Sequence, residues 1–156
     1  MRKSATKFIG WLAVMGLFFL CAVSTNAQGR YRGKFYSKVD VDRIIKRVET
    51  RSDEFKEIVD RNLDRSRLDD TKKEDRINEQ VGELERALDN LRSDFDRTDK
   101  WRETRRQVEA VLRQADEVNR IVKNIRFGPK VESGWVALKA DLNKLAGIYD
   151  LRLLRL

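Results

Sequence analysis

Apolar side chains recur along most of this chain at alternating spacings of four and three residues, the period at which one face of a helix returns. The first such run is Val41, Ile45, Val48, Ser52, Phe55 and Val59, with Ile44, Ile58 and Leu63 widening the stripe. Ser37-x-x-Asp40 stands in front of it, where the hydroxyl can accept an orphan backbone N–H and the carboxylate complements the helix dipole, so a helix is predicted to begin there. The stripe lapses from Asp64 to Lys73, Thr71-x-x-Glu74 offers a second capping box, and the seam resumes as Ile77, Val81, Leu84, Leu88, Leu91 and Phe95. Continuing that heptad calls for apolar residues near 98 and 102. Thr98 and Arg102 stand there, and the next seam starts instead at Trp101. The broken phase ends the helix, and Asp96, Thr98 and Asp99 offer caps for the next one. Its seam reads Trp101, Thr104, Val108, Val111, Ala115, Val118, Val122 and Ile125. Phe127-Gly128-Pro129 punctuates, with glycine suited to a helix end and proline to a first turn. A last helix then carries Val131, Trp135, Leu138, Leu142, Leu145 and Tyr149.

The stripes have the width that faces other helices across a bundle, and short connections near Thr98 and Gly128 make neighbours antiparallel. The predicted fold is all-α: an up-and-down antiparallel bundle of four helices over residues 39–156. Without the break near residues 66–71 the count falls to three, and residues 38–97 become one long helix. Ser52, Thr104 and Ala115 interrupt the seams with small residues, which permits close helix approach or a small cavity. Ile44 and Ile121 are apolar flanks that suggest a helix-mediated homo-oligomer. The terminus Leu151-Arg-Leu-Leu-Arg-Leu156 is expected to pack by prolonging the last helix, with an apolar hook for a partner as the other reading.

A different pattern opens the chain. Arg2, Lys3 and Lys7 precede an apolar run from Phe8 to Val23, and Thr25-Asn26-Ala27 presents small residues where an export peptidase reads. Residues 1–27 are therefore expected to be a signal peptide cleaved near Ala27, giving a periplasmic or secreted product. An inner-membrane anchor through residues 8–23 is the alternative. Residues 28–38 have two glycines, no acid and no helical period, and read as a basic and aromatic arm. Arg30, Tyr31, Arg32, Lys34, Phe35, Tyr36 and Lys38 form its candidate anionic-surface site, since cations and interfacial aromatics together suit an anionic headgroup layer. With the three basic residues of the signal and the four of the arm set aside, 27 of the 34 Lys and Arg remain against all 26 Asp and Glu. A nearly neutral domain argues against nucleic acid, which calls for a basic stripe on the fold itself.

The chain has no His, and its one Cys and two Met lie in the signal segment. The product therefore lacks the side chains of Glu-x-x-His di-metal sites, His- or Met-ligated haem and His-dependent triads. No cofactor, metal or catalytic residue is expected. Carboxylates are plentiful, but Asp69 with Asp70 and Glu83 with Glu85 point apart on a helix; a carboxylate-based envelope hydrolase is the remote alternative. The reading is a non-enzymatic envelope protein acting as a structural or interaction bundle, whose partner is an anionic envelope surface or another envelope protein. The closing stretch, Arg126-Phe-Gly followed by Trp135-x-x-Leu138-x-x-x-Leu142-Asn143-x-Leu145-Ala146-x-x-Tyr149, resembles that of uncharacterised secreted helical proteins of some bacteria. The resemblance implies a bacterial envelope setting and no known activity.

Overall fold

Ser37 and Asp40 make the reciprocal cap that the sequence predicts. Asp40 N–H donates to Ser37 Oγ at 3.2 Å, and Ser37 N–H donates to Asp40 Oδ2 at 3.1 Å. The Ser37 hydroxyl also donates to Asp40 Oδ2, at 2.7 Å, and this bond together with the one from the Ser37 backbone holds the Asp40 carboxyl below its usual range. The computed structural model describes residues 36–155, which form α1 (Lys38–Leu63), α2 (Lys72–Arg97), α3 (Arg105–Asn124) and α4 (Pro129–Ile148). A 3-10 turn, Trp101–Thr104, leads into α3.

The second cap is only half formed. Thr71 Oγ1 accepts from Glu74 N–H at 3.3 Å, but the Glu74 carboxylate takes the N–H of Asp70, at 2.7 Å, instead of that of Thr71. Asp70 has a φ of 56°, a left-handed turn conformation that aspartate tolerates better than most residues and that aims its N–H at α2. At the broken phase Thr98 Oγ1 accepts from Lys100 N–H at 3.1 Å and donates to Glu103 at 3.0 Å, tightening the turn before α3. Gly128 and Pro129 open α4 as N-cap and first residue.

α1 packs chiefly on α4 and α2 chiefly on α3, with smaller contacts between α1 and α2 and between α3 and α4. Two helical hairpins thus lie face to face as the layers of an up-and-down antiparallel four-helix bundle. The predicted seams are the core: Val41, Ile45, Leu63, Leu84, Leu91, Val108, Leu138 and Leu142 are fully buried. Each such side chain contributes about 1.5–3 kcal/mol on burial. Phe55, Phe95, Trp101, Phe127, Trp135 and Tyr149 join the same core, with Phe55 and Trp135 ring centroids 5.4 Å apart. Ile44 is only 6% exposed, so it is an internal packing residue and not an oligomer flank; Ile121 is partly buried against the core.

The expected prolongation of the last helix does not occur. α4 stops because Asp150 turns left-handed, at φ 53°, and Leu151 N–H and Asp150 N–H return to the carbonyls of Ala146 (2.9 Å) and Gly147 (3.3 Å). This helix-ending loop normally recruits glycine. The following residues leave as a non-helical tail that still packs, through Leu154, while Leu153 is 45% exposed.

Candidate functional site

The predicted anionic-surface residues Arg30, Tyr31, Arg32, Lys34 and Phe35 lie outside the described residues, as does the apolar run 8–23. Among the described residues no helix is long and apolar enough to cross a membrane. Tyr36 and Lys38 mark the root of the arm. Tyr36 packs half-buried against the core, and Lys38 is the first residue of α1, its ammonium 5.5 Å from the Phe95 ring centroid and 3.9 Å from an Asp99 carboxylate oxygen. The same end of the bundle carries a buried polar knot. Thr104 Oγ1 donates to the Trp101 carbonyl at 2.8 Å and meets the Tyr149 hydroxyl at 2.9 Å, and Trp101 and Tyr149 stack edge to face. Burial pushes the Tyr149 hydroxyl up. Thr104, a seam interruption by sequence, is thus a hydrogen-bonding member of the core. Arg105 fastens the end of α4 by donating to the Tyr149 and Asp150 carbonyls.

On the outer surface of the α1–α2 layer, cations are matched to carboxylates across the helices. Arg92 grips Glu49 with two hydrogen bonds of 2.9 and 2.8 Å and donates to Asp42 at 2.7 Å. These partners hold the guanidinium above its ordinary value. Lys56 pairs with Glu85 at 2.7 Å. Asp53, close to that row, is pushed up by partial burial and then by Glu85, Glu49 and Asp89, against which Lys56 is the smaller opposing charge. Between layers, Arg47 and Arg51 each lie 2.7 Å from the nearly buried Asp141 carboxylate of α4.

The α3–α4 layer is finished differently. Asn119, 4% exposed, accepts from Trp135 Nε1 at 3.0 Å and donates to the Arg155 carbonyl at 3.3 Å. Asn143 accepts from Leu154 N–H at 2.7 Å and donates to the Leu154 carbonyl at 3.3 Å. Two side-chain amides thereby satisfy the backbone of the tail as a neighbouring strand would. Sequence reasoning missed both residues; a polar Asn beside a hydrophobic seam was their one signal. Between the tail and α3 runs an open groove of about 750 Å³, whose α3 wall carries the acids Glu109, Asp116 and Glu117 beside Arg113 and Arg120 and whose tail wall carries Arg152, Leu153 and Arg155.

Near-neutrality conceals a segregation of charge between the layers. Residues 38–99 hold 15 Lys and Arg against 19 Asp and Glu, whereas residues 100–155 hold 13 against 7. Among the described residues, 10 of the 15 cations in the first set have a carboxylate within 4 Å, and only Lys100, Arg105 and Arg120 of the 13 in the second do. Arg106, Arg113 and Arg120 recur every seven residues along α3, so they share one outward row.

One cluster of metal-ligand type lies in the α1–α2 turn, where carboxylate oxygens of Asp64, Asp69 and Glu74 fall within 4.8 Å of one another. Asp64 and Asp69 are exposed, and Glu74 is already occupied in closing the turn at Asp70. Comparison with protein families, curated proteins and solved structures finds no match for the chain.

Proposed function

We propose that the protein is an exported, non-enzymatic helical bundle of the bacterial envelope, a structural or interaction module brought to an anionic envelope surface by the arm at Arg30–Lys38. The observation that carries this reading is the charge of residues 28–38, four cations and no acid, joined to a domain in which the two signs nearly cancel. The root of the arm suits the role. Tyr36 and the Ser37–Asp40 cap fix the point at which a basic chain leaves the bundle, so charge captured by the arm is transmitted to a folded body. Cations near an anionic membrane surface contribute about 1 kcal/mol each.

The test is mass spectrometry of the protein recovered from its native envelope. The expected product begins at Gln28 and occurs outside the inner membrane. An intact N-terminus in the membrane fraction replaces this reading with a bundle anchored through residues 8–23, and an intact N-terminus in the cytoplasm removes both.

A further inference from the structure

We propose that the outward face of the α3–α4 layer, with the C-terminal tail clamped on it, is a second contact site for an anionic bilayer, built by the folded domain and separate from the arm. It shares with the functional reading only the class of partner.

The first observation is the distribution of uncompensated charge. Ion pairs engage ten of the fifteen cations of residues 38–99, the five left over being Arg65, Arg67, Lys72, Lys73 and Arg76 at the α1–α2 turn, whereas Arg106 and Arg113 on α3 and Arg152 and Arg155 on the tail are exposed and have no carboxylate within 4 Å among the described residues. Arg120, in the same row as Arg106 and Arg113, bridges Asp116 and Glu117 and so offsets one of the two negative charges nearest that row. The second observation is apolar. Of the three large hydrophobic side chains that stand exposed among the described residues, Val136 (60%) and Leu153 (45%) both belong to this layer. Val136 lies on the same side of α4 as Asn143, two turns on, the residue that clamps the tail at Leu154. Exposed apolar side chains flanked by free cations are the composition of a surface that lies at a headgroup boundary.

The clamp supplies the third argument. Asn119 and Asn143 hold the tail by its backbone, so Leu154 can turn inward while Arg152, Leu153 and Arg155 remain outside. A tail serving only to cover the core would not need to present two arginines and a leucine to solvent. The opposite layer, with its excess of acid along Glu49, Asp53, Glu85 and Asp89, is repelled by the same surface, so the charge asymmetry also selects one orientation of the bundle. A bilayer suits the broad face because its anionic headgroups move laterally to match whatever spacing the cations present.

The experiment uses the chain from Gln28 in four forms: unsubstituted, arm-substituted (R30S/R32S/K34S/K38S), face-substituted (R106S/R113S/R152S/R155S) and both. Binding is measured by co-sedimentation with phosphatidylglycerol-containing vesicles and with pure phosphatidylcholine vesicles, at low salt and at high salt. The arm-substituted protein is expected to retain binding that is anionic-specific and salt-sensitive, and adding the face substitutions should weaken it at least about tenfold. Helical circular dichroism and melting of the face-substituted protein are expected to match the parent, which separates lost contact from lost fold. Vesicle binding of the arm-substituted protein that is absent, or unchanged by the face substitutions, overturns the inference. In the first case the arm reading stands alone if the unsubstituted chain binds, and both fail if it does not; in the converse case, where only the face substitutions matter, the arm reading fails and this one stands. Equal binding to both vesicle types overturns it as well, since the contact would then not be electrostatic.

Discussion

Arg92 on α2 and Arg113 on α3 both leave the core seam for the outer surface, but Arg92 holds Glu49 and Asp42 while Arg113 faces an open groove. The same contrast runs through the two hairpins. α1 and α2, each 26 residues long, tie their surfaces together with ion pairs across the helices; α3 and α4, 20 residues each, are joined at the surface by amide contacts to a tail. What stabilises a layer and what it offers to solvent are therefore separate questions. A cation already matched to carboxylates serves the fold, and one left unmatched is free to serve a contact.

The comparison begins from a shared core, and the largest effects should ignore the layers. Leu84→Ala in α2 and Leu142→Ala in α4, both at fully buried positions, should each cost about 2–5 kcal/mol in urea denaturation. A loss confined to one hairpin would show that the layers do not fold as one unit. Next in size, Asn119→Ala leaves Trp135 Nε1 and the Arg155 carbonyl without their partner and should cost about 1–3 kcal/mol. Hydrogen exchange at the Leu154 amide should accelerate with it if the tail is held by the amide pair.

Ser52 and the glycines act in the other direction. The Ser52 hydroxyl is buried in α1 and has no hydrogen-bond partner among the described residues, so Ser52→Ala should raise stability by about 1 kcal/mol. Gly82→Ala should add up to about 1 kcal/mol by helix propensity, because its new methyl would meet nothing closer than Arg86 at 3.9 Å. Gly134→Ala should gain less, since its methyl would lie 3.4 Å from Ile58 and 3.5 Å from Phe55 at the α1–α4 contact. Equal gains would indicate slack between the layers there.

The smallest effect is a pH dependence. The Asp53 carboxyl is raised in the folded state, so its contribution is favourable while it is protonated, below the unfolded value, and turns into a penalty as pH rises through the folded one. Asp53→Asn should therefore stabilise the protein at neutral pH by a few tenths of a kcal/mol, discounted for solvent screening, and the gain should vanish in acid. A gain that persists in acid would place its origin outside the acidic row.

Most of the fold was legible in the sequence because seam phase and caps are local signals. The Ser37–Asp40 box, the break at Thr98, and Gly128–Pro129 each mark a boundary that side chains within one turn determine. The features that escaped are left-handed turns at residues other than glycine and contacts made by residues distant in sequence. Glu74 looks like the partner of the Thr71 backbone until Asp70 turns left-handed. The Leu-rich terminus reads as more helix until Asp150 does the same, and the amides that hold it stand 11 and 36 positions away. Net charge summed over the domain hides a division that the sequence already holds, 15 Lys and Arg against 19 Asp and Glu in residues 38–99 and 13 against 7 in residues 100–155; the pairing of helices into layers gives that division a surface. The arm was legible as composition, and its residues before Tyr36 lie outside the described ones.

The central claim, that cations matched to carboxylates of the α1–α2 layer and Asp141 hold the fold and the unmatched arginines of α3 and the tail do not, is tested most directly by urea denaturation of two triple variants side by side. R47S/K56S/R92S removes cations engaged with Asp141, Glu85, and Glu49 with Asp42; R106S/R113S/R152S removes three that have no carboxylate partner among the described residues. The account predicts a loss of about 2–4 kcal/mol for the first and a change within about 0.5 kcal/mol for the second. Comparable losses in the two variants would contradict it.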